Sequence, residues 1–225
     1  MFFCSNNHFF QKKLYFCAKI LIELMEKSDS YITISESGGE GVLKEKGSKF
    51  LAFAFHIESE DEADELRKKF KKKYYDATHV VYSFRLGANG EKFRAADDGE
   101  PSGSSGLPVL NTIKSKNITD VIVLVVRYFG GTKLGIPGLI DAYSSAAALA
   151  LDNAEKQEKL VTETIRIKTS YANMNFVMRI IKDNDLKILE TSGAEFFKVT
   201  VSVRKNLKKQ IAEILKQNGI EFSEV

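Results

Sequence analysis

Two segments in the first half of the chain alternate strictly between apolar and polar positions. In the segment Ser48–Ile57, the apolar residues Leu51, Phe53, Phe55 and Ile57 fall on one side. A period of two is typical of a half-buried strand, because successive side chains of a strand point to opposite faces. The segment Ala77–Leu86 has the same period, so we predict two strands.

A helix is predicted between these two strands. Ser59 is followed three residues later by Glu62, which is the arrangement of a capping box, and acidic residues in the first turn favour a helix N-terminus. Apolar residues then recur at the helical period, at Ala63, Leu66, Phe70 and Tyr74. The helix ends in three lysines, residues 71–73. We interpret this run as a solvated face, with contact to a polyanion as the alternative.

The pattern changes after the second strand. A polar stretch reaches Gly106, and a short helix is predicted from about Pro108. Thr119–Tyr128 contains six consecutive aliphatic residues, which is typical of a fully buried strand. A long alanine-rich helix is then predicted from about Pro137 to Ala154. Its small residues permit close packing on a sheet: they are Ala142, Ala146 and Ala150.

The last part of the chain has the order β-α-β-β-α-β. Strands are predicted near Thr162–Thr169, Leu186–Ser192, Glu195–Val203 and Ile220–Val225, and helices near Asn173–Asn184 and Asn206–Asn218. This order is typical of the ferredoxin-like split βαβ fold. The sequence therefore predicts an α+β protein.

Composition narrows the class of protein. The 225 residues are 44% apolar and 28% charged, which is ordinary for a globular protein and excludes collagen, a disulfide scaffold and wholesale disorder. Cys4 and Cys17 are the only cysteines, so there is no disulfide framework and no cysteine-based zinc site. We expect no metal and no cofactor.

The N-terminal residues 1–24 differ from the rest. They hold both cysteines, and their apolar run Leu14–Leu24 is interrupted by charges and shorter than the roughly 20 residues that cross a bilayer. Met25 then opens a polar run typical of a natural N-terminus. We interpret residues 1–24 as a doubtful extension, either a translated upstream region or a dispensable helix. A membrane anchor and a packed N-terminal helix are the alternatives.

Charge divides the chain into three parts. The formal net charge of +3 is too small to indicate a nucleic-acid binder by itself. It separates into +2 for residues 1–24 (3 basic, 1 acidic), −2 for residues 25–160 (19 basic, 21 acidic) and +3 for residues 161–225 (11 basic, 8 acidic). We predict domains at 25–160 and 161–225, of which the smaller is the more basic.

Two glycine-rich loops are the candidate sites. One spans residues 97–106 and the other residues 127–135, and each runs into a predicted helix with a proline near its first turn. Exposed amides, small hydroxyl residues and a helix N-terminus together attract phosphate or carboxylate. The candidate anion- or nucleic-acid-binding residues are Ser102, Gly103, Ser104, Arg127, Gly130, Gly131, Thr132, Lys133 and Gly135, with Arg85 on the second strand. Tight turns that need positive φ are the alternative.

Four residues are candidates for catalysis: Asp97, Asp98, Glu100 and His79. Neighbouring carboxylates can shift one another's pKa and serve in acid–base chemistry or hold a hard cation. The alternative is that the carboxylates cap a turn or pair with nearby Arg94 and Arg127, and that the histidine is structural. No Ser-His-Asp spacing, zinc-protease motif, Walker A motif or dinucleotide fingerprint is present.

Four motifs give the chain a resemblance to a known family. Lys46–Phe50, Ala77–His79, Asp97–Gly103 and Arg127–Gly135 occur in the order seen in the YigZ/IMPACT family. The resemblance covers about residues 30–225. It implies an IMPACT-type N-terminal domain, shaped like a small-subunit ribosomal protein domain and domain IV of elongation factor G. It also implies a ferredoxin-like C-terminal domain similar to one of elongation factor G.

The chain departs from the family pattern at three places. Pro137 stands where a glycine is usual, and Asp141 stands where an arginine is usual. Val80 and Val81 follow His79, where a polar residue and a cysteine are common. The loss of a basic residue at Asp141 weakens a purely electrostatic argument for RNA.

The resemblance also implies a role. Eukaryotic members regulate translation by interfering, through a binding partner, with activation of a kinase that senses amino-acid starvation. We expect a cytoplasmic, translation-associated, non-enzymatic protein that binds RNA or the ribosome, with a possible protein partner in translation control. No membrane association and no sequence-specific DNA contact are expected. An enzyme acting on a phosphorylated small molecule or nucleotide, and a protein-interaction module, are the alternatives.

Overall fold

The computed structural model describes residues 29–224. The predicted extension at residues 1–24, with both cysteines, lies outside the described residues. The described chain divides into two compact units. The larger unit is Tyr31–Lys159, and the smaller unit begins at Leu160 and also includes Asp29 and Ser30. Among residues 29–224, no helix combines the length and apolar character needed to cross a membrane.

The larger unit is built on a five-stranded antiparallel sheet with the order β2-β3-β6-β4-β5. Its strands are β2 (Gly39–Glu45), β3 (Ser48–His56), β4 (His79–Leu86), β5 (Lys92–Ala96) and β6 (Val121–Tyr128). Its helices are α1 (Glu60–Lys73), α2 (Gly106–Ser115) and α3 (Gly135–Asn153). Strands β1 (Ser30–Ile34) and β7 (Lys156–Leu160) form a separate two-stranded sheet.

Both faces of the five-stranded sheet are covered. On β3, Phe50, Ala52 and Ala54 pack in one core with α2 and α3. Leu51, Phe53 and Phe55 pack in a second core with α1. The prediction of a half-buried strand was therefore wrong for this segment, because its small residues Ala52 and Ala54 are as buried as its large ones. An alanine in a strand fits closely beneath a helix, so it does not mark a solvent face.

The predicted helix signals are confirmed for α1 and α3. The Ser59 side chain accepts a hydrogen bond from the Glu62 amide at the start of α1, and Ala63 and Phe70 are buried. The small face of α3 packs closely on β2: a Cβ added at Gly39 would overlap the carbonyl oxygen of Ala150. The polar stretch before Gly106 contains a strand that was not predicted, β5, which pairs with β4.

The smaller unit has a four-stranded antiparallel sheet with the order β11-β8-β10-β9. Its strands are β8 (Thr162–Thr169), β9 (Lys187–Gly193), β10 (Phe197–Arg204) and β11 (Glu221–Glu224). The helices α4 (Met174–Asp183) and α5 (Lys205–Gln217) pack on one face of this sheet. The predicted ferredoxin-like order is confirmed, and so is the α+β class.

A residue distant in sequence caps the last helix. The carboxylate of Asp29, which is buried, accepts a hydrogen bond from the Asn206 amide in the first turn of α5 at 2.6 Å. The backbone carbonyl of Asp29 also accepts from the amide of Val161. The N-terminal end of the described chain is therefore part of the smaller unit.

Candidate functional site

The register of two central strands brings candidate residues together. His79, the first residue of β4, lies directly opposite Arg127, near the end of β6. Both belong to the face that packs on α2 and α3, because their alternate neighbours Val81 and Val125 are in that core. The chain leaves β6 through residues 129–134, here called the open loop, and then enters α3.

A buried ion pair forms the floor of this region. Glu100 is 8% exposed and Arg127 is 5% exposed. One Glu100 oxygen accepts hydrogen bonds from the Arg127 guanidinium at 2.6 Å and from the Tyr143 hydroxyl at 2.8 Å. Burial, followed by the charge of Glu100, raises the pKa of Tyr143 well above its ordinary value. Tyr143 therefore acts only as a hydrogen-bond donor to the carboxylate.

The Arg127 guanidinium also packs against aromatic rings. It lies 5.4 Å from the ring centroid of Phe50 and 5.5 Å from that of Phe129. One nitrogen contacts the Ser48 hydroxyl at 3.5 Å, while its Nε has no hydrogen-bond partner among the described residues. Arg127 thus connects the floor of the site to Phe129 in the open loop.

Asp97 occupies the amides of the first glycine-rich loop. Its carboxylate accepts from the amides of Gly103, Ser105 and Gly106, and from the Ser105 hydroxyl. Burial opposes ionisation of Asp97, but these hydrogen bonds outweigh it and lower its pKa. The amides at the start of α2 are therefore filled by a carboxylate of the same chain. This loop, with candidates Ser102, Gly103 and Ser104, offers an external anion little.

The other two carboxylate candidates also have partners. Asp98 accepts from the Val80 amide at 2.8 Å and forms an ion pair with Lys71. Its backbone carbonyl lies 2.8 Å from His79 Nδ1. A carbonyl only accepts, so Nδ1 carries the proton and Nε2 of the neutral ring is an acceptor. Nε2 lies 3.8 Å from Glu100.

The open loop, by contrast, leaves its helix terminus free. Within residues 29–224, no side chain caps the start of α3, and its first turn has no acidic residue. Thr132 and Lys133 are exposed, and Lys133 has no ion pair with any described residue. The loop is fixed at its base, where the Gly130 amide donates to the Ser48 hydroxyl at 3.2 Å and the Phe129 amide donates to the Thr78 hydroxyl at 3.0 Å.

The turn interpretation of the glycines is also correct in part. Gly131 has a φ of 89° and Gly135 a φ of 74°, which L side chains rarely adopt. Gly130 is required for a different reason, because an added Cβ would overlap the backbone of Gly47. These glycines shape the open loop, and its anion-binding capacity rests on the amides and Lys133.

These elements enclose a cleft of about 360 Å³. Its polar floor consists of His79, Glu100 and Arg127, and its apolar walls include Phe129, Leu134, Ile136 and Leu139. Lys133 lines the same cleft. The cleft therefore combines an apolar wall, a cation and a free helix terminus.

Not all predicted residues lie here. Arg85 is at the opposite end of β4 from His79, and its guanidinium donates to the carbonyls of Ile118 and Asn89. Ser104 is fully buried and bonds to the carbonyl of Pro101. Searching the described residues finds no cluster of His, Cys, Asp or Glu that could hold a metal ion.

Sequence reasoning missed three residues of the site. Tyr143 and Ser48 bind the ion pair, and Phe129 forms a wall of the cleft. Ser48 and Phe129 both lie inside motifs that carry the family resemblance, which was the available signal. Tyr143 gives none, since an aromatic residue on the inner face of a helix is ordinary core.

Comparison with known proteins identifies the family. The Impact N-terminal domain matches residues 46–151. The IMPACT family member YvyE of Bacillus subtilis is 32% identical over 166 residues, which cover 74% of this chain and 76% of that protein. The chain belongs to the IMPACT family. The resemblance to the YigZ/IMPACT family is thus confirmed, and all cleft residues of this IMPACT-family protein lie within the matched domain.

Two further relatives of this IMPACT-family protein are informative. The protein IMPACT homolog of Saccharomyces cerevisiae is 34% identical over 98 residues, which cover 41% of this chain and 37% of that protein. The crystal structure of a hypothetical protein superposes with a TM-score of 0.68 at 22% identity, covering 88% of this chain and 98% of that one. The latter shows that the two chains share their fold.

Proposed function

We propose that this IMPACT-family protein is a cytoplasmic, non-enzymatic, translation-associated protein that binds RNA, ribosomal RNA included, at the open loop. The observation that carries the proposal is the contrast between the two glycine-rich loops. The first fills its helix amides with Asp97, whereas the open loop leaves the amides of α3 and the ammonium of Lys133 free. A phosphate fits a helix N-terminus of this kind.

The charges near the open loop support a polyanion as the ligand. The turn between β2 and β3 touches the open loop at Gly130, and it carries the exposed lysines Lys46 and Lys49. Among residues 29–224, neither lysine has an ion-pair partner. The nearby carboxylates of Asp98 and Glu100 are already paired with cations. The unpaired charge around the cleft is therefore positive.

The family supports the link to translation, since the resemblance implies translation control for its eukaryotic members. An enzyme acting on a phosphorylated small molecule has less support. Acid–base or metal chemistry would need a free carboxylate, and Asp97, Asp98 and Glu100 are each held by hydrogen bonds or ion pairs. A protein-interaction module has no specific observation in its favour.

Binding of labelled RNA and co-sedimentation with ribosomes test the proposal. Affinity is measured from about 50 to about 200 mM salt, and each lost contact to single-stranded RNA should lower the salt slope by about 0.7. Lys133→Gln should weaken binding and reduce the slope. Lys156→Gln is the matched control, because Lys156 lies beyond the far end of α3, about 28 Å from its start.

The outcomes are distinct. Loss of affinity in Lys133→Gln with an unchanged Lys156→Gln supports the proposal. The absence of RNA and ribosome binding at low salt, or equal binding by both variants and the parent protein, overturns it.

A further inference from the structure

The cleft beside the open loop has more apolar wall than a phosphate needs. Phosphate contacts require only Lys133 and the α3 amides, yet the cleft also presents Phe129, Ile136 and Leu139 above a polar floor. Phe129 and Ile136 are 46% and 55% exposed. An apolar wall of this kind suits a flat, largely apolar group. A nucleobase is the part of RNA with that chemistry.

Resting on the RNA-binding role proposed above, we infer that the cleft holds one unstacked nucleotide of single-stranded RNA. Its base lies against Phe129, and its phosphate lies at Lys133 and the start of α3. A duplex cannot offer such a base, because its bases are paired and stacked, whereas single strands present bases to aromatic side chains.

Phe129 is prepared for stacking. The Arg127 guanidinium lies 5.5 Å from its ring centroid and can occupy only one face of the ring. Arg127 itself is held by Glu100 and rests against Phe50. The loop backbone at Phe129 is fixed by the hydrogen bond to Thr78. The exposed part of the ring is thus a preformed platform, which lowers the entropy lost on binding.

The floor of the cleft can recognise a base edge. With the proton of His79 on Nδ1, directed at the Asp98 carbonyl, Nε2 is an acceptor. Nε2 can accept a hydrogen bond from an exocyclic amino group or a ring N–H of the base. The cleft volume of about 360 Å³ is within the range of sites that take small organic groups.

Fluorescence anisotropy on the full chain tests the inference. The probes are a labelled single-stranded RNA of about 12 nucleotides, the same sequence as a duplex, and AMP or UMP as competitors. Single-stranded RNA should bind at least about tenfold more tightly than duplex. Phe129→Leu keeps an apolar side chain but removes the aromatic face. It should weaken single-strand binding about tenfold and leave the salt slope unchanged, while Lys133→Gln lowers the slope.

A second measurement does not depend on any variant. RNA carrying 5-iodouridine is irradiated in complex with the parent protein, and the cross-linked peptide is identified by mass spectrometry. The inference predicts a cross-link at Phe129. A cross-link confined to the smaller unit contradicts it.

The results separate this inference from the proposed function. Equal affinity for duplex and single strand, or unchanged binding by folded Phe129→Leu, overturns the nucleotide in the cleft and leaves RNA binding intact. AMP or UMP binding as tightly as the oligomer overturns it in favour of a small-molecule site. No binding to either RNA at low salt removes the proposed function itself.

Discussion

The buried pair of Glu100 and Arg127 offers the sharpest test of how the site is built. Arg127→Met removes the cation but retains an unbranched apolar side chain between the rings of Phe50 and Phe129. The Glu100 carboxylate, at 8% exposure, would then keep the Tyr143 hydroxyl as its close donor. Breaking a buried ion pair by removing one partner costs about 3 to 5 kcal/mol, because an uncompensated charge stays buried.

The double variant distinguishes this cause from simple loss of packing. In Arg127→Met/Glu100→Leu no charge remains in the floor, and such replacements are often close to neutral. We therefore expect the double variant to be more stable than Arg127→Met alone. The two substitutions should deviate from additivity by about 2 kcal/mol or more, since contacting residues couple.

Urea and thermal unfolding, followed by far-ultraviolet circular dichroism, measure these free energies. At about 4 °C per kcal/mol for a unit of this size, Arg127→Met should lower the melting temperature by about 12 to 20 °C. The chain has no tryptophan, so fluorescence is a weaker probe. A cost below about 1 kcal/mol, or additive effects in the double variant, would refute the view that the pair holds this end of the sheet together.

The remaining predictions concern the loops and caps. Gly130→Ala should cost about 3 kcal/mol in unfolding experiments, since its Cβ overlaps Gly47; Gly131→Ala, with open space but positive φ, should cost about 1 kcal/mol. The folded-state pKa of Asp97 lies below its usual 3.8, so its stabilisation is complete above that pH and is lost as pH falls further. Asp97→Asn should therefore lose less stability on acidification, and an equally steep acid transition would contradict this. Asp29→Ala should destabilise the smaller unit by about 1 kcal/mol, visible as faster amide exchange in α5, and unchanged exchange would contradict the capping role.

Hydrophobic periodicity predicted the buried elements and missed those at the edges. The strands β3, β4 and β6 and the whole smaller unit followed from apolar patterns, because burial dominates their energetics. The strand β5 pairs on one side only and is almost entirely exposed, so hydrogen bonds define it and its composition does not. The strand β2 is also at an edge.

The candidate site was predictable as chemistry but not as geometry. Glycine, hydroxyl and basic residues marked both loops equally. Only the fold shows that Asp97 reaches the amides of Ser105 and Gly106, because that contact depends on the turn through Asp98 and Gly99, which both have positive φ. The cleft likewise depends on the register that sets His79 opposite Arg127.

The Asp29 cap bears on how the smaller unit can be made and handled. Its carboxylate and the Asn206 amide are 177 positions apart in the chain. During vectorial synthesis the cap is therefore produced before most of the protein and waits for one of the last segments to emerge. An expression boundary placed at Leu160 would yield a fragment whose final helix begins without its carboxylate. Supplying residues 29–30 ahead of such a fragment, through a short linker, is the economical way to restore it.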